Sequence, residues 1–486
     1  MNNIFSRHFV LHAFASCTMA FMLACGSGPN GNATLCSTPA DCTDPAQAYC
    51  VAGVCHACES PTNCTATAPV CEAEVFECGA CVNDSSCGGY PTTSHCAPTG
   101  ACVGCVTSDQ CSGNTPVCDV APGVCKACVT DGECATGACN LETGACIAEA
   151  AILYAAPTGT PNTMCTRAMP CTLKQALARV DSGKSTVVLA DGNYVATAAA
   201  SANLGGSKSA LVVGSRLARL VGAVTDFEPT LTVSEGAFLR IRGMTLAGAE
   251  HAPVSCSTAF IAVDDVVASS SGSAQSIYLF GCKSTISRSS FNGYGIRSIY
   301  FHSNMVSSLK IDRCVFRQTM FTSASPLMLE VYEASATITN SQFINQISLC
   351  TICKIVQIIE PANSFSSRTF AFNTLIDGQL ETAGSATKIH ANIFASPTQT
   401  LTDSTSDYQN NLFNFATNPT VSGTGNFTGD PMFVDAAAGD FHLKAGSPAI
   451  DRGPATVPAG VPATDFDGRP RPVGAATDIG AFEYTP

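Results

Sequence analysis

A short phrase returns six times between Ser284 and Phe413: a large apolar residue, two variable positions, a small or polar residue, one more variable position, then Phe or Leu. The copies are Ile286/Ser289/Phe291, Ile311/Cys314/Phe316, Ile338/Ser341/Phe343, Phe370/Asn373/Leu375, Ile389/Asn392/Phe394 and Tyr408/Asn411/Phe413, and their starts lie 25, 27, 32, 19 and 19 residues apart. Most of the first apolar positions have polar neighbours on both sides, which is the period-two pattern of a strand. Two residues on, Arg288, Arg313, Asn340 and Asn410 suit a bend. A strand, a sharp bend and a second strand, repeated with no helical pattern between, describe the coils of a parallel β-helix. Neighbouring coils stack at about 4.8 Å, so equivalent residues lie over one another. Phe291, Phe316, Phe343, Phe394 and Phe413 are expected to form an internal aromatic ladder, and Asn373, Asn392 and Asn411 an amide ladder. A composition of 25 Phe and no Trp agrees with that core.

Cysteine governs the N-terminal third. Of 29 cysteines, those from Cys36 to Cys146 fall into five groups of four, each opening C-x5-C and joined to the next by C-x2-C. Segments this short cannot bury enough apolar surface to fold unaided, so a stalk of five modules (36–147) with two disulfides each is expected. Four cysteines allow three pairings per module, and the spacing does not choose among them. The C-x2-C junctions also match zinc-ligand and thiol-redox spacing, but an even, strictly periodic set belongs to disulfides in an oxidising compartment. Residues 1–24, with Arg7 followed by an apolar run from Phe9 to Ala24, read as an export signal. Residues 25–35 read as a flexible tether. A net charge of -13 with no basic stripe argues against a nucleic-acid partner.

After Cys146 the pattern becomes that of strands. They are expected at Ile152 to Tyr154, Thr186 to Leu189, Ala210 to Val213, Phe238 to Leu246 and Val263 to Val267. Thr172 and Gln175 fit a capping box opening a helix over 172–181, which would cover the first coil. Cys165 with Cys171, Cys256 with Cys282 and Cys350 with Cys353 are candidate pairs, and Cys314 is left as a buried thiol.

Met22-Leu23-Ala24-Cys25 resembles the bacterial lipobox, which implies lipidation at Cys25 and partnership with a membrane through that anchor. Gly26 after it implies the outer membrane or cell surface. Three blocks resemble exported bacterial right-handed parallel β-helix proteins of the pectin-lyase-like fold: Leu153 to Tyr194, the coils, and a terminal block. That block holds Gly446-Ser-Pro-Ala-Ile-Asp451, Asp465-Phe-Asp-Gly-Arg-Pro-Arg471 and Asp478-Ile-Gly-Ala-Phe-Glu-Tyr484. The cysteine modules resemble those of deltaproteobacterial proteins. The resemblance implies an all-β right-handed parallel β-helix over 150–428, capped by a helix, preceded by disulfide-rich repeats and closed by 429–486.

Lyases of this fold use an Arg or Lys beside carboxylates that hold Ca2+. The candidates for such chemistry are Lys310, Asp312 and Arg313, with Arg288 one coil before, Glu330 and Glu333 after, and Asp264 and Asp265 as a separate acidic pair. Successive coils do not repeat an outward acid, so these charges read as surface. Asp465 and Asp467, with Asp478 or Glu483, are the candidate metal ligands; Arg469 and Arg471 beside them favour a charge-paired closure that needs no cofactor. His302, His390 and His442 have no ligand spacing. Tyr278, Tyr294, Tyr300 and Tyr332 are the aromatics left for a sugar-binding surface. The expected protein is a non-catalytic surface lipoprotein binding polysaccharide or a cell-surface partner; the alternative is a Ca2+-dependent polysaccharide lyase.

Overall fold

The computed structural model describes residues 34–486 apart from 73, 162–163, 196, 198–199, 224–228, 250, 271–274, 294–296, 304–306, 320–326, 348–353, 360–366, 384–386, 397–400, 404, 416 and 418. The export signal, Cys25, nearly all of the tether, Tyr294 and the Cys350/Cys353 pair lie outside the described residues. The chain divides into two compact units, residues 1–110 with 118–125, and 111–117 with 126–486.

In the first unit each module pairs a 3-10 turn with a two-stranded antiparallel hairpin, as in Pro39–Asp41 followed by Tyr49–Val51 and Val54–His56. The hairpin sets the third and fourth cysteines side by side on adjacent strands, Cys50 opposite Cys55. Each then bonds a different cysteine of the turn segment. The pairing is first with third and second with fourth: Cys36–Cys50 and Cys42–Cys55, Cys58–Cys71 and Cys64–Cys78, Cys81–Cys96 and Cys87–Cys102. Loops of 13 to 15 residues make each bond worth about 3 kcal/mol against the unfolded chain.

The second unit is a parallel β-helix. Its coils build two 11-stranded sheets and an 8-stranded one, every neighbour parallel and one coil apart. The recurring phrase supplies a strand of the first sheet and a strand of the second. The bend between them holds one residue in the left-handed region: Asp265, Arg288, Arg313, Asn340, Phe372, Ala391 and Asn410 all have φ between 48° and 57°. Two expected strands are each divided by this corner. Phe238–Arg242 and Thr245–Gly248 are separated by Gly243, and Phe260–Asp264 and Val267–Ser270 by Asp265. Apolar residues on both sides of the corner point inward, so the sequence pattern runs on through it.

The interior is columnar. Phe291 stacks on Phe316 at 4.8 Å and Phe316 on Phe343 at 4.7 Å, ring centroid to centroid. Leu375 takes the next rung, and the stack resumes with Phe394 on Phe413 at 5.1 Å. In the amide column Asn373 Nδ2 donates to Asn392 Oδ1, Asn392 Nδ2 to Asn411 Oδ1, and Asn411 Nδ2 to Asn426 Oδ1, at 3.2, 3.0 and 2.9 Å. Asn426 extends the column by a rung that the phrase does not reach. Cys256–Cys282 links consecutive coils. Cys314 is a buried thiol whose surroundings push it up to about 12 through desolvation, which keeps it unreactive.

The helix spans Leu173–Ala178 and buries Leu173, Ala176 and Leu177 against the first coils. Thr172 Oγ1 accepts from the Gln175 N–H at 3.3 Å. The return half of the capping box is not made: Gln175 Oε1 has no hydrogen bond. Cys165 and Cys171 are bonded just before it.

Among the described residues, two of the three outer faces carry covers. The fifth module, with Cys128–Cys139 and Cys134–Cys146, lies on the first sheet. There Ala138 and Ile147 pack with Tyr154 and Val213, and Arg242 donates to Asp131 Oδ2 at 2.7 Å and to the Cys139 carbonyl at 2.6 Å. This module is thus a docked element rather than a link of a stalk. The C-terminal segment lies on the second sheet, where Phe441 and Phe482 cover Ile344, and Leu443 and Ile479 cover Ile393 and Ala395.

Candidate functional site

The third sheet runs from Ala202–Leu204 to Gln379–Ala383. Parallel register places Tyr278 beside Tyr300, then Glu330, Gln357 and Glu381, in one outward column. The column two residues on carries Phe280, His302 and Tyr332. All five rings are half-buried. Tyr278 and Tyr300 lie 5.6 Å apart, Phe280 and His302 5.7 Å, and His302 and Tyr332 5.0 Å, centroid to centroid. Their partly exposed faces make a strip two columns wide and three coils long. Arg297 sits 4.8 Å over the Tyr300 ring and pairs with Glu330. Burial raises the Tyr300 hydroxyl above the usual tyrosine value, with the Glu330 charge adding to it. Beyond the rings the strip becomes polar: Lys354 Nζ and Gln357 Nε2 both donate to Glu381 at 2.6 Å.

Such a strip can hold the apolar face of a sugar ring against aromatic rings and offer carboxylates and an amide to its hydroxyls. Tyr278, Tyr300 and Tyr332, set aside in the sequence as surface aromatics, come together here. Phe280 and His302 carry no sequence signal for this role, since Phe suits the core and His302 stands in no ligand spacing. Their outward position follows from alternation along Ile277–Phe280 and Arg297–His302.

The expected group around Lys310 is taken apart. Glu330 belongs to the third sheet and Glu333 to the corner after it, whereas Lys310, Asp312 and Arg288 belong to the first sheet and its corner. Asp312 accepts from Arg313 Nε at 3.0 Å, and from Thr339 Oγ1 and Asn340 Nδ2 at 2.9 Å. Asp264 and Asp265 do not act as a pair either. Asp264 accepts from Arg288 Nε at 2.9 Å and Asp265 pairs with Arg216. Although burial of Asp264 works the other way, Arg288 and Ser287 bring its carboxyl below the usual value.

The carboxylates of the terminal block face N–H donors. Asp465 accepts from the backbone of Arg469 at 2.7 Å and of Glu483 at 2.9 Å, and Asp478 from Asp451 and Tyr484. Glu483 accepts from Arg471 Nη1 at 2.6 Å with both side chains fully buried. Asp467 meets His442 Nε2 at 2.9 Å while Asp440 meets Nδ1 at 2.6 Å. Burial by itself would lower the His442 pKa; the hydrogen bonds to Asp467 and Asp440 outweigh it and raise the value. The folded pKa therefore exceeds the unfolded one, so this histidine stabilises the block fully below about pH 6.5. That contribution is lost as pH rises through the folded value. Chemical denaturation from pH 6 to 9 is expected to show the decline, and His442→Gln to remove it. Groups of metal-ligating atoms within reach of one another occur, among the described residues, at the cysteines of the five modules, which are disulfide-bonded.

A model for a family of unknown function, DUF8331, matches residues 56–152. No curated protein matches. Among solved structures, the crystal structure of pectate lyase Pel9A is similar at 14% identity and a TM-score of 0.44, covering 70% of this chain and 98% of that one.

Proposed function

We propose that this chain is an exported, lipid-anchored protein whose β-helix binds extracellular polysaccharide on the outer face of its third sheet without cleaving it. The observation that carries this reading is the strip formed by Tyr278, Phe280, Tyr300, His302 and Tyr332, on the one sheet face that neither the fifth module nor the C-terminal segment covers. Its charged side chains are engaged with one another, Arg297 with Glu330 and Lys354 with Glu381, which suits recognition better than proton abstraction. A lipid at Cys25 would keep the chain at a membrane surface.

Affinity electrophoresis through gels containing neutral and acidic polysaccharides tests it. At least one polymer should retard the protein, and Tyr300→Ala should weaken retardation about threefold to tenfold, as expected for one stacked ring. Equal retardation of Tyr300→Ala and the parent would remove the strip from consideration. Unsaturated uronate products, detected by ultraviolet absorbance, would replace the reading with a lyase, and their loss on chelation with return on added Ca2+ would identify the ion.

A further inference from the structure

A concave site separate from the strip lies on the outer face of the first sheet, beside the fifth module. It is a cavity of about 520 Å³, within the usual size for a small-molecule site. Register builds it from adjacent columns: Phe238, Phe260 and Lys283 in one, and Arg240, Ala262, Thr285 and Lys310 in the next. Ala262 is the short side chain that opens the floor, and Leu141 of the fifth module forms a wall.

The apolar part is unusual for an outer sheet face. Phe260 is 40% exposed and meets Phe238 edge-on at 6.5 Å, so two rings are offered to solvent beside Leu141. The charged part is one-sided. Lys283 Nζ lies 5.6 Å from the Phe260 ring and Arg240 5.3 Å from the Phe238 ring. Arg240 also reaches Glu142 at the rim, where both side chains are exposed. Asp264 is neutralised by Arg288, and Arg242 by Asp131. Lys283 and Lys310 are exposed and have no ion pair among the described residues. An uncompensated positive rim on a chain of net charge -13 is a local reversal of sign.

We infer that this groove binds an amphipathic anion, with the apolar body against Phe238, Phe260 and Leu141 and the acid head between Lys283 and Lys310. Neutral sugars would gain no charge pairing from the lysines, and a purely ionic ligand would leave the rings wet. The site is independent of the third-sheet strip and uses different residues.

Calorimetric titration of the full chain with decanoate, and with decanol as the uncharged match, tests it. Decanoate should bind and decanol should bind at least tenfold more weakly. Lys283→Ala and Lys310→Ala should each weaken decanoate about threefold, the size expected of an exposed charge pair, and added salt should do the same. Ala262→Leu, which fills the floor without changing charge, should abolish binding. Tyr300→Ala should leave it unchanged, and Lys310→Ala should leave polysaccharide retardation unchanged, so failure of either site is distinguishable from failure of the other. Absence of decanoate binding, equal binding of decanol, or indifference to both Lys283→Ala and Ala262→Leu would overturn the inference.

Discussion

Asn392→Ala is expected to lower the stability of the β-helix by about 3 to 6 kcal/mol, because it strands several buried groups at once. Asn392 Oδ1 accepts from the Asn373 backbone at 2.9 Å and from Asn373 Nδ2 at 3.2 Å, while its Nδ2 donates to the Phe370 carbonyl at 2.8 Å and to Asn411 Oδ1 at 3.0 Å. Alanine leaves these partners buried, and a single water in the vacated space replaces only part of the set. Urea unfolding should show the loss as a fall in midpoint. Lys388→Ala, exposed on a neighbouring strand, should stay within about 0.5 kcal/mol of the parent. Equal effects of the two would mean that the amide column is not a structural support.

The second large effect is expected at Arg471. Its guanidinium is buried against Glu483 and the Phe372 ring, and donates to the Gly480 carbonyl at 2.8 Å. Arg471→Ala leaves the Glu483 carboxylate buried without its counter-charge, at a cost of about 3 to 5 kcal/mol. Removing Glu483 as well should recover only part of this. That carboxylate also accepts from the backbone of Val473 and Asp478 at 2.9 Å, and those N–H groups would stay unpaired. Limited proteolysis should show the segment after Gly429 cut early in Arg471→Ala, with the coils before it intact.

The fold was legible where chemistry repeats. Ile311, Cys314 and Phe316 recur in outline because each inward position stacks on its own copy one coil away, and selection for a column leaves a phrase in the sequence. The third strand of each coil has no such phrase. Arg297–His302 and Leu327–Tyr332 sit between connections of unequal length, and their inward residues Ile299, Phe301, Leu329 and Val331 read as one more apolar run. The candidate strip stands on those strands, so its tyrosines could be named but not assembled. Lys310 shows the complementary limit. Its neighbours in sequence, Asp312 and Arg313, suggested a catalytic cluster, yet its neighbours in space are Lys283 and Thr285 from the coil before and, in the same cavity, Leu141 from far upstream. Cysteine spacing announced the modules but not their connectivity, because only the hairpin decides which sulfurs sit side by side.

The connectivity of those modules determines how they would age outside a cell. In the first three and the fifth, the first-to-third and second-to-fourth bonds span overlapping loops, so any one backbone nick between the first and last cysteine is bridged by at least one of them. A hydrolase could score such a module once and set nothing loose. Among the first three modules, severance by a single cut is confined to the two-residue links at His56-Ala57 and Gly79-Ala80, and their durability rests on how well the peptide bonds of those links are shielded.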